Sequence, residues 1–284
     1  MFDALIAPFS DNLFMTQALI AGVLVSIACA IAGTFMVLRG LAFIGDALAH
    51  GVLPGIALAV IMGFSGIIGA AIGAAVMIGG VSLVTRRSRL SSDTAIGLLF
   101  VGMLALGVVI VSQSSSFTGD LTRILFGEIL GTSWSDILLQ LTTTIIIAFM
   151  AFIFARGFLL LAFDPEQAQV AGFPSGLYHN IMLVIIAATI IISFQTVGTL
   201  LVFGLLIAPA GAGALIARRI GIMMVWAALF GTLSMYIGLL LSYHFNLAAG
   251  ATVILVATLI FFTVFTIKNL KPRSETMGNG NHDA

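Results

Sequence analysis

Charge is scarce in this chain. Of its 284 residues only 8% are Asp, Glu, Lys or Arg, where a soluble domain carries roughly 25%, and this excludes an ordinary water-exposed globular surface. Eleven basic residues balance eleven acidic ones, which leaves no basic stripe to follow a nucleic acid. Lysine is nearly absent: Lys268 and Lys271 are the only two, and neither follows a glycine. The phosphate loop G-x-x-x-x-G-K-[ST] is therefore missing, and if ATP drives this protein another chain binds it. The single cysteine, Cys29, excludes an intrachain disulfide. The motif H-E-x-x-H is missing as well, which excludes that form of intramembrane metalloenzyme. Residues 1–12 hold Asp3 and Asp11 but no Lys or Arg, so they lack the basic start of a cleavable signal peptide. They read as a short extracytoplasmic segment ahead of a retained first helix.

What is abundant is apolar sequence, 61% of residues with a mean hydropathy of +1.22. A helix crosses a hydrocarbon core of roughly 30 Å with about 20 such residues. Nine runs qualify, near 13–38, 41–62, 66–85, 94–112, 134–155, 177–194, 197–217, 221–241 and 250–267. The fold class is thus all-α, a polytopic membrane helix bundle with a transmembrane domain over 13–267. The boundary between the sixth and seventh runs is thin, only Gln195 and Thr196; one crossing plus a re-entrant piece would reduce the count to eight. Lys and Arg accumulate on the cytoplasmic side. With the N-terminus outside and the C-terminus inside, ten of the eleven basic residues fall on the inner face, and Arg123 is the exception. Arg123 belongs to Asp120–Ser133, too short to cross, which reads as an interfacial or re-entrant half-helix. Residues 268–284 read as a short disordered cytoplasmic tail.

Most acids lie in tails and loops; Asp46 and Glu128 remain, and only Asp46 is well inside a run. Four residues on stands His50, so the two share one stripe of a helix. At about 1.5 Å per residue from Arg39, Asp46 is roughly 10 Å and His50 roughly 16 Å up the second run, near mid-membrane. Ionisable groups at that depth are costly and mark substrate or ion paths. A self-neutralising pair bridging two helices is the structural alternative, although apolar packing would bridge them at less desolvation cost. Carboxylate plus imidazole suits a first-row divalent ion, Zn²⁺ or Mn²⁺ with Fe²⁺ also accommodated, carried as cargo with no permanently bound cofactor. Such an ion usually needs at least four ligands. Two copies of the chain about a twofold axis would supply them. Glu128 is a secondary candidate near the outer end of the path. His179 and His244 lie near run ends and Cys29 is deep but alone, so none of these reads as a ligand. The pair could equally relay protons, which would make the chain a proton-coupled secondary metal transporter.

Proline and glycine mark the backbone. Pro54 and Pro209 fall inside predicted spans and deprive the carbonyls of His50 and Leu205 of a donor, so each is a candidate kink in the path. Gly69 and Gly73 have the spacing that lets two helices approach closely. Between the fifth and sixth runs, the inner loop 157–176 contains Asp164, Pro165, Glu166, Gln167, Ala168, Gln169, Val170, Ala171 and Gly172. Asp164 can cap, Pro165 suits the first helical position, and Gly172 with Pro174 stops the helix. A capped helix on the cytoplasmic face reads as a docking element.

These residues resemble the ABC-3 family of metal-ion permeases over roughly residues 13–267. "LRGLAFIGDALAHGVLPGIAL" resembles its second-helix signature, "LFGEILGTSW" its outer segment, "LAFDPEQAQVAGFP" its ATPase-docking loop and "VGTLLVFGLLIAPAGAGALIARR" its late span. The resemblance implies a type II ABC-importer-like fold in a bacterial cytoplasmic membrane. Asp46 and His50 would handle metal, and Asp164 to Gly172 would be the coupling helix. It also implies a homodimer of permeases, two ATP-binding subunits and an extracytoplasmic metal-binding protein. Where family members commonly carry Thr or Ser near Pro209, this chain reads Leu206-Ile207-Ala208-Pro209-Ala210-Gly211.

Overall fold

The computed structural model describes residues 2–88, 90–112 and 127–270. All regular structure among them is helical. α1 (Phe2–Asp11) rises only about 15 Å, too short to cross, and ends where Asn12 turns extended. Then follow α2 (Leu13–Leu38), α3 (Ala42–Gly51), α4 (Leu53–Ile61), α5 (Gly66–Arg87) and α6 (Ser92–Val111). After a single 3₁₀ turn at Ile129–Gly131 come α7 (Trp134–Phe163), α8 (Pro165–Val170), α9 (Ser175–Val197), α10 (Thr199–Ile216), α11 (Ile220–Phe245) and α12 (Ala249–Leu270). Counting α3 and α4 as one, nine stretches among the described residues are long and apolar enough to cross a bilayer. Arg123 and the first half of the segment 120–133 lie outside the described residues, as does the tail from 271; Lys268 to Leu270 are the last turn of α12.

Local chemistry explains where the helices begin and turn. Ser133 opens α7 with a capping box, its Oγ accepting from the Asp136 N–H while Asp136 Oδ2 accepts from the Ser133 N–H. Gly40 follows α2 at φ +65°, a left-handed conformation that a side chain would strain. It lets Leu41 donate back to Met36 (2.9 Å) before α3 starts.

Three boundaries differ from the sequence reading, each for a backbone reason. The second span is interrupted at Val52, where Pro54 in the first turn of α4 has no N–H to continue the ladder. Gln195 and Thr196 are helical, and the break between the sixth and seventh spans falls instead at Gly198, φ +80° and ψ 159°. A polar dipeptide does not end a helix, whereas a glycine free to leave helical space does. α7 runs to Phe163, two turns past the expected end near 155, so residues 157–163 of the expected loop are helix. Arg156 marks an interface, and the apolar Gly157–Phe163 stretch has no reason to unwind there. Thirty residues span about 45 Å; the last turns of α7 stay packed through the buried Phe158 and Leu161 and lead directly into α8.

α2 is the central post, packed against α7, α9, α10 and α11. Its apolar window and that of α3–α4 are each 67% buried, against 28% for α5 and 22% for α6, which keep wide apolar faces open. Gly69 does serve close packing: a methyl there would stand 2.2 Å from the Gly55 carbonyl oxygen, so α4 and α5 touch backbone to backbone. One polar cluster deep in the bundle is internally bonded. The Gln140 amide on α7 donates to Thr144 (3.4 Å) and accepts from Ser193 of α9 (3.5 Å), while Thr144 sits 3.4 Å from the Leu24 carbonyl of α2.

Candidate functional site

α3 is ten residues long and packs against α6, α10, α9 and α5. Its small residues Gly45, Ala47, Ala49 and Gly51 are buried against those neighbours, which turns Asp46 and His50 toward the less crowded side. The two side chains do meet. His50 Nδ1 lies 3.3 Å from Asp46 Oδ1 and 3.1 Å from the Asp46 carbonyl oxygen. Both of those atoms are acceptors when the carboxylate is ionised, so Nδ1 carries the proton and donates. In neutral imidazole this leaves Nε2 with its lone pair, the tautomer a metal ion requires, with a carboxylate behind the ring to orient it. Phe100 of α6 stands edge-on to the imidazole, ring centroids 5.7 Å apart at 89°, and restricts its rotation. The side chains are 17% and 26% exposed, for His50 and Asp46 respectively. They are neither sealed in the core nor laid open, and something outside this chain can reach them.

The pair is short of a complete ligand set. Among the described residues no group of three or more His, Cys, Asp or Glu could hold a metal ion. A cavity of about 450 Å³ opens at the far end of α4, and Glu128 lines it together with Asp136, Thr132, Gln195 and Thr196. Its apolar wall is made by Ile56, Ala57, Val60 and Ile61. Neither Asp46 nor His50 lines it; Ile56 is six residues beyond His50, roughly 9 Å of helix. Glu128 therefore lines a cavity at the end of α4, apart from the pair. Asp136 and Gln195 share its cavity, and the sequence offers no periodic signal for that meeting, since they come from separate elements. Asp136 also accepts from Ser133 Oγ at 2.6 Å, so its carboxylate holds the start of α7 as well.

Pro54 marks the break between α3 and α4, while Pro209 sits inside an uninterrupted α10. At the opposite end from the cavity, α8 has the expected capped form. Asp164 Oδ1 accepts from the Glu166 N–H (2.9 Å) and the Gln167 N–H (3.0 Å), Pro165 takes the first turn, and Gly172 turns the chain at φ +86°. Only Ala168 of this helix is buried; Glu166, Gln167 and Gln169 are exposed, and Val170 is 91% exposed.

Several proteins of similar sequence are named as membrane transport proteins. The Listeria monocytogenes manganese transport system membrane protein MntC is 39% identical over 252 residues, 89% of this chain and 90% of that protein. The Streptococcus gordonii manganese import system permease protein ScaB is 34% identical, covering 94% of this chain and 96% of its own length. A probable iron transport system membrane protein of Haemophilus influenzae is 38% identical across 96% of this chain and all of that one. Among solved structures, PsaBC from Streptococcus pneumoniae in complex with Fab superposes with a TM-score of 0.85 at 33% identity, covering 93% of this chain and 95% of that one. The ABC 3 transport family matches residues 11–268. With its helical bundle and its span-embedded acid and imidazole, this chain belongs to the ABC 3 transport family of multi-pass membrane permeases.

Proposed function

We propose that this chain is the membrane-spanning subunit of an ATP-driven importer of a divalent first-row metal ion, and that Asp46 and His50 handle the ion in transit. The observation that carries the reading is the hydrogen bond from His50 Nδ1 to Asp46, which presents Nε2 as a donor in the middle of an apolar span. Within the set zinc, manganese and ferrous iron, relatives named for manganese and iron weigh toward those two. The two donors of one chain become four in a homodimer, and the partial exposure of both side chains on α3 is compatible with a second copy reaching them. With no phosphate loop of its own, the chain takes its energy from two ATP-binding subunits, which would seat against the exposed side of α8. An extracytoplasmic metal-binding protein delivers the ion at the Glu128 end. The distribution of Arg and Lys puts the N-terminus outside and the C-terminus in the cytoplasm.

The competing reading, proton-coupled secondary transport through the same pair, is disfavoured by membership of an ABC transport family. Vesicle uptake separates the two. ATP supplied with the ATP-binding partner is expected to drive manganese or iron uptake that persists when an uncoupler collapses the proton gradient. Uptake that needs no ATP and disappears with the uncoupler would replace the importer with the proton-coupled carrier.

A further inference from the structure

From the end of α8 a train of aromatic rings runs to Phe35 near the end of α2, the helix that leads into α3. Phe173 follows α8 and is bonded to it, its N–H donating to the Ala168 carbonyl at 2.9 Å, so the Phe173 ring is carried wherever α8 goes. That ring packs on Tyr178 in the first turn of α9, centroids 5.4 Å apart at 77°. Tyr178 in turn meets Phe154 (5.8 Å) and Phe158 (6.1 Å) of α7. It lies so close over Gly157 that a methyl there would stand 2.1 Å from its ring. Phe158, 1% exposed, meets Phe35 of α2 at 5.0 Å and 67°. One turn on from Phe35, Arg39 ends α2 and donates Nη1 to the Leu161 carbonyl of α7 at 2.6 Å. Only Gly40 and Leu41 then separate Arg39 from α3, the helix that holds Asp46 and His50.

We infer that Phe173, Tyr178, Phe158 and Phe35, with Arg39 bonded to Leu161, are positioning residues that transmit movement of α8 to the metal-handling pair through the Gly40 hinge. The inference rests on the importer reading above. Three features make this line a lever. Close-packed rings transmit displacement because interiors deform little. Edge-to-face geometry gives each contact a preferred orientation. The backbone at Gly40 sits in the left-handed region that favours glycine, which suits a pivot between α2 and α3. Phe35 and Phe158 are buried and Phe173 is half-buried, so the train runs from the membrane surface into the core.

The test uses the full complex with its ATP-binding partner in vesicles, reading ATP hydrolysed, manganese transported and manganese bound at equilibrium. Tyr178→Ala and Phe173→Ala are expected to leave equilibrium binding within about twofold while the manganese moved per ATP falls at least tenfold. Tyr178→Phe, which keeps the ring, is expected to stay near the native ratio. Because parts of one train do not act independently, the double variant Phe173→Ala/Phe35→Leu is expected to lose no more than the worse single one. A native transport-to-hydrolysis ratio in both alanine variants, or losses that multiply in the double variant, would overturn the relay. If Tyr178→Ala does not assemble, Phe173→Ala and the double variant still decide, since Phe173 lies at the half-buried end. Native complex that shows neither binding nor ATP-dependent uptake of manganese, ferrous iron or zinc would instead overturn the importer reading itself.

Discussion

His50→Ala is expected to reduce metal uptake at least about 100-fold while membrane insertion is unchanged. Outer partners of a metal ligand already cost 10 to 100-fold when removed, and a ligand itself costs more. The side chain is half-buried and touches Asp46 and the ring of Phe100, so truncation leaves a small gap without disturbing the apolar face of α3. Asp46→Ala removes the negative charge and the side-chain acceptor, leaving only the backbone carbonyl to Nδ1, and it should fall to the same level. Asp46→Asn keeps an oxygen that can accept from Nδ1 but loses the charge that offsets a dehydrated dication. An intermediate rate is expected for it, and the order Asn above Ala would separate ring orientation from charge. Uptake by vesicles loaded with each purified complex checks the series. Full uptake by the double variant Asp46→Ala/His50→Ala would remove the pair from the path.

A second large effect is expected at α8. Glu166→Lys with Val170→Arg alters two exposed side chains without touching the buried Ala168 that seats the helix on α7. Each stands where a partner would meet it, and a few such contacts carry most of an interface's energy, about 2 kcal/mol or more apiece. At 1.4 kcal/mol per factor of ten, one contact of that size amounts to about 30-fold in assembly with the ATP-binding subunit. Co-purification and coupled hydrolysis should therefore fall by that factor or more, with equilibrium metal binding by the permease unchanged. Normal assembly and uptake would show that α8 is only a connector.

How much of this was legible in the residues follows from which interactions are local. Asp46 and His50 are four apart, so their meeting was readable from helical spacing, and the structure forms the hydrogen bond. The cap at Asp164 and the stop at Gly172 are local too and appear as expected. Nine spans followed from run length alone. The sequence reading failed where the deciding contact is distant or the decision is a backbone one. Nothing links position 50 to Phe100, or Glu128 to Gln195, until the helices pack. Asp136 reads as a loop acid, and its Ser133-x-x-Asp136 spacing announces a helix start but not a cavity. The split at Val52 was half visible in Pro54. The turn at Gly198 was hidden by the more conspicuous polar residues before it, and the extra turns of α7 by the assumption that an arginine closes a helix.

The central claim is that an acid and an imidazole on α3 hold the travelling ion. Its most direct test is the metal content of the assembled permease complex, by competition among manganese, ferrous iron and zinc. The native complex is expected to retain one specifically bound ion per two permease chains, and the His50→Ala complex none. Equal stoichiometry and equal affinity in the two would contradict the account, because the ion would then be held by residues other than this pair.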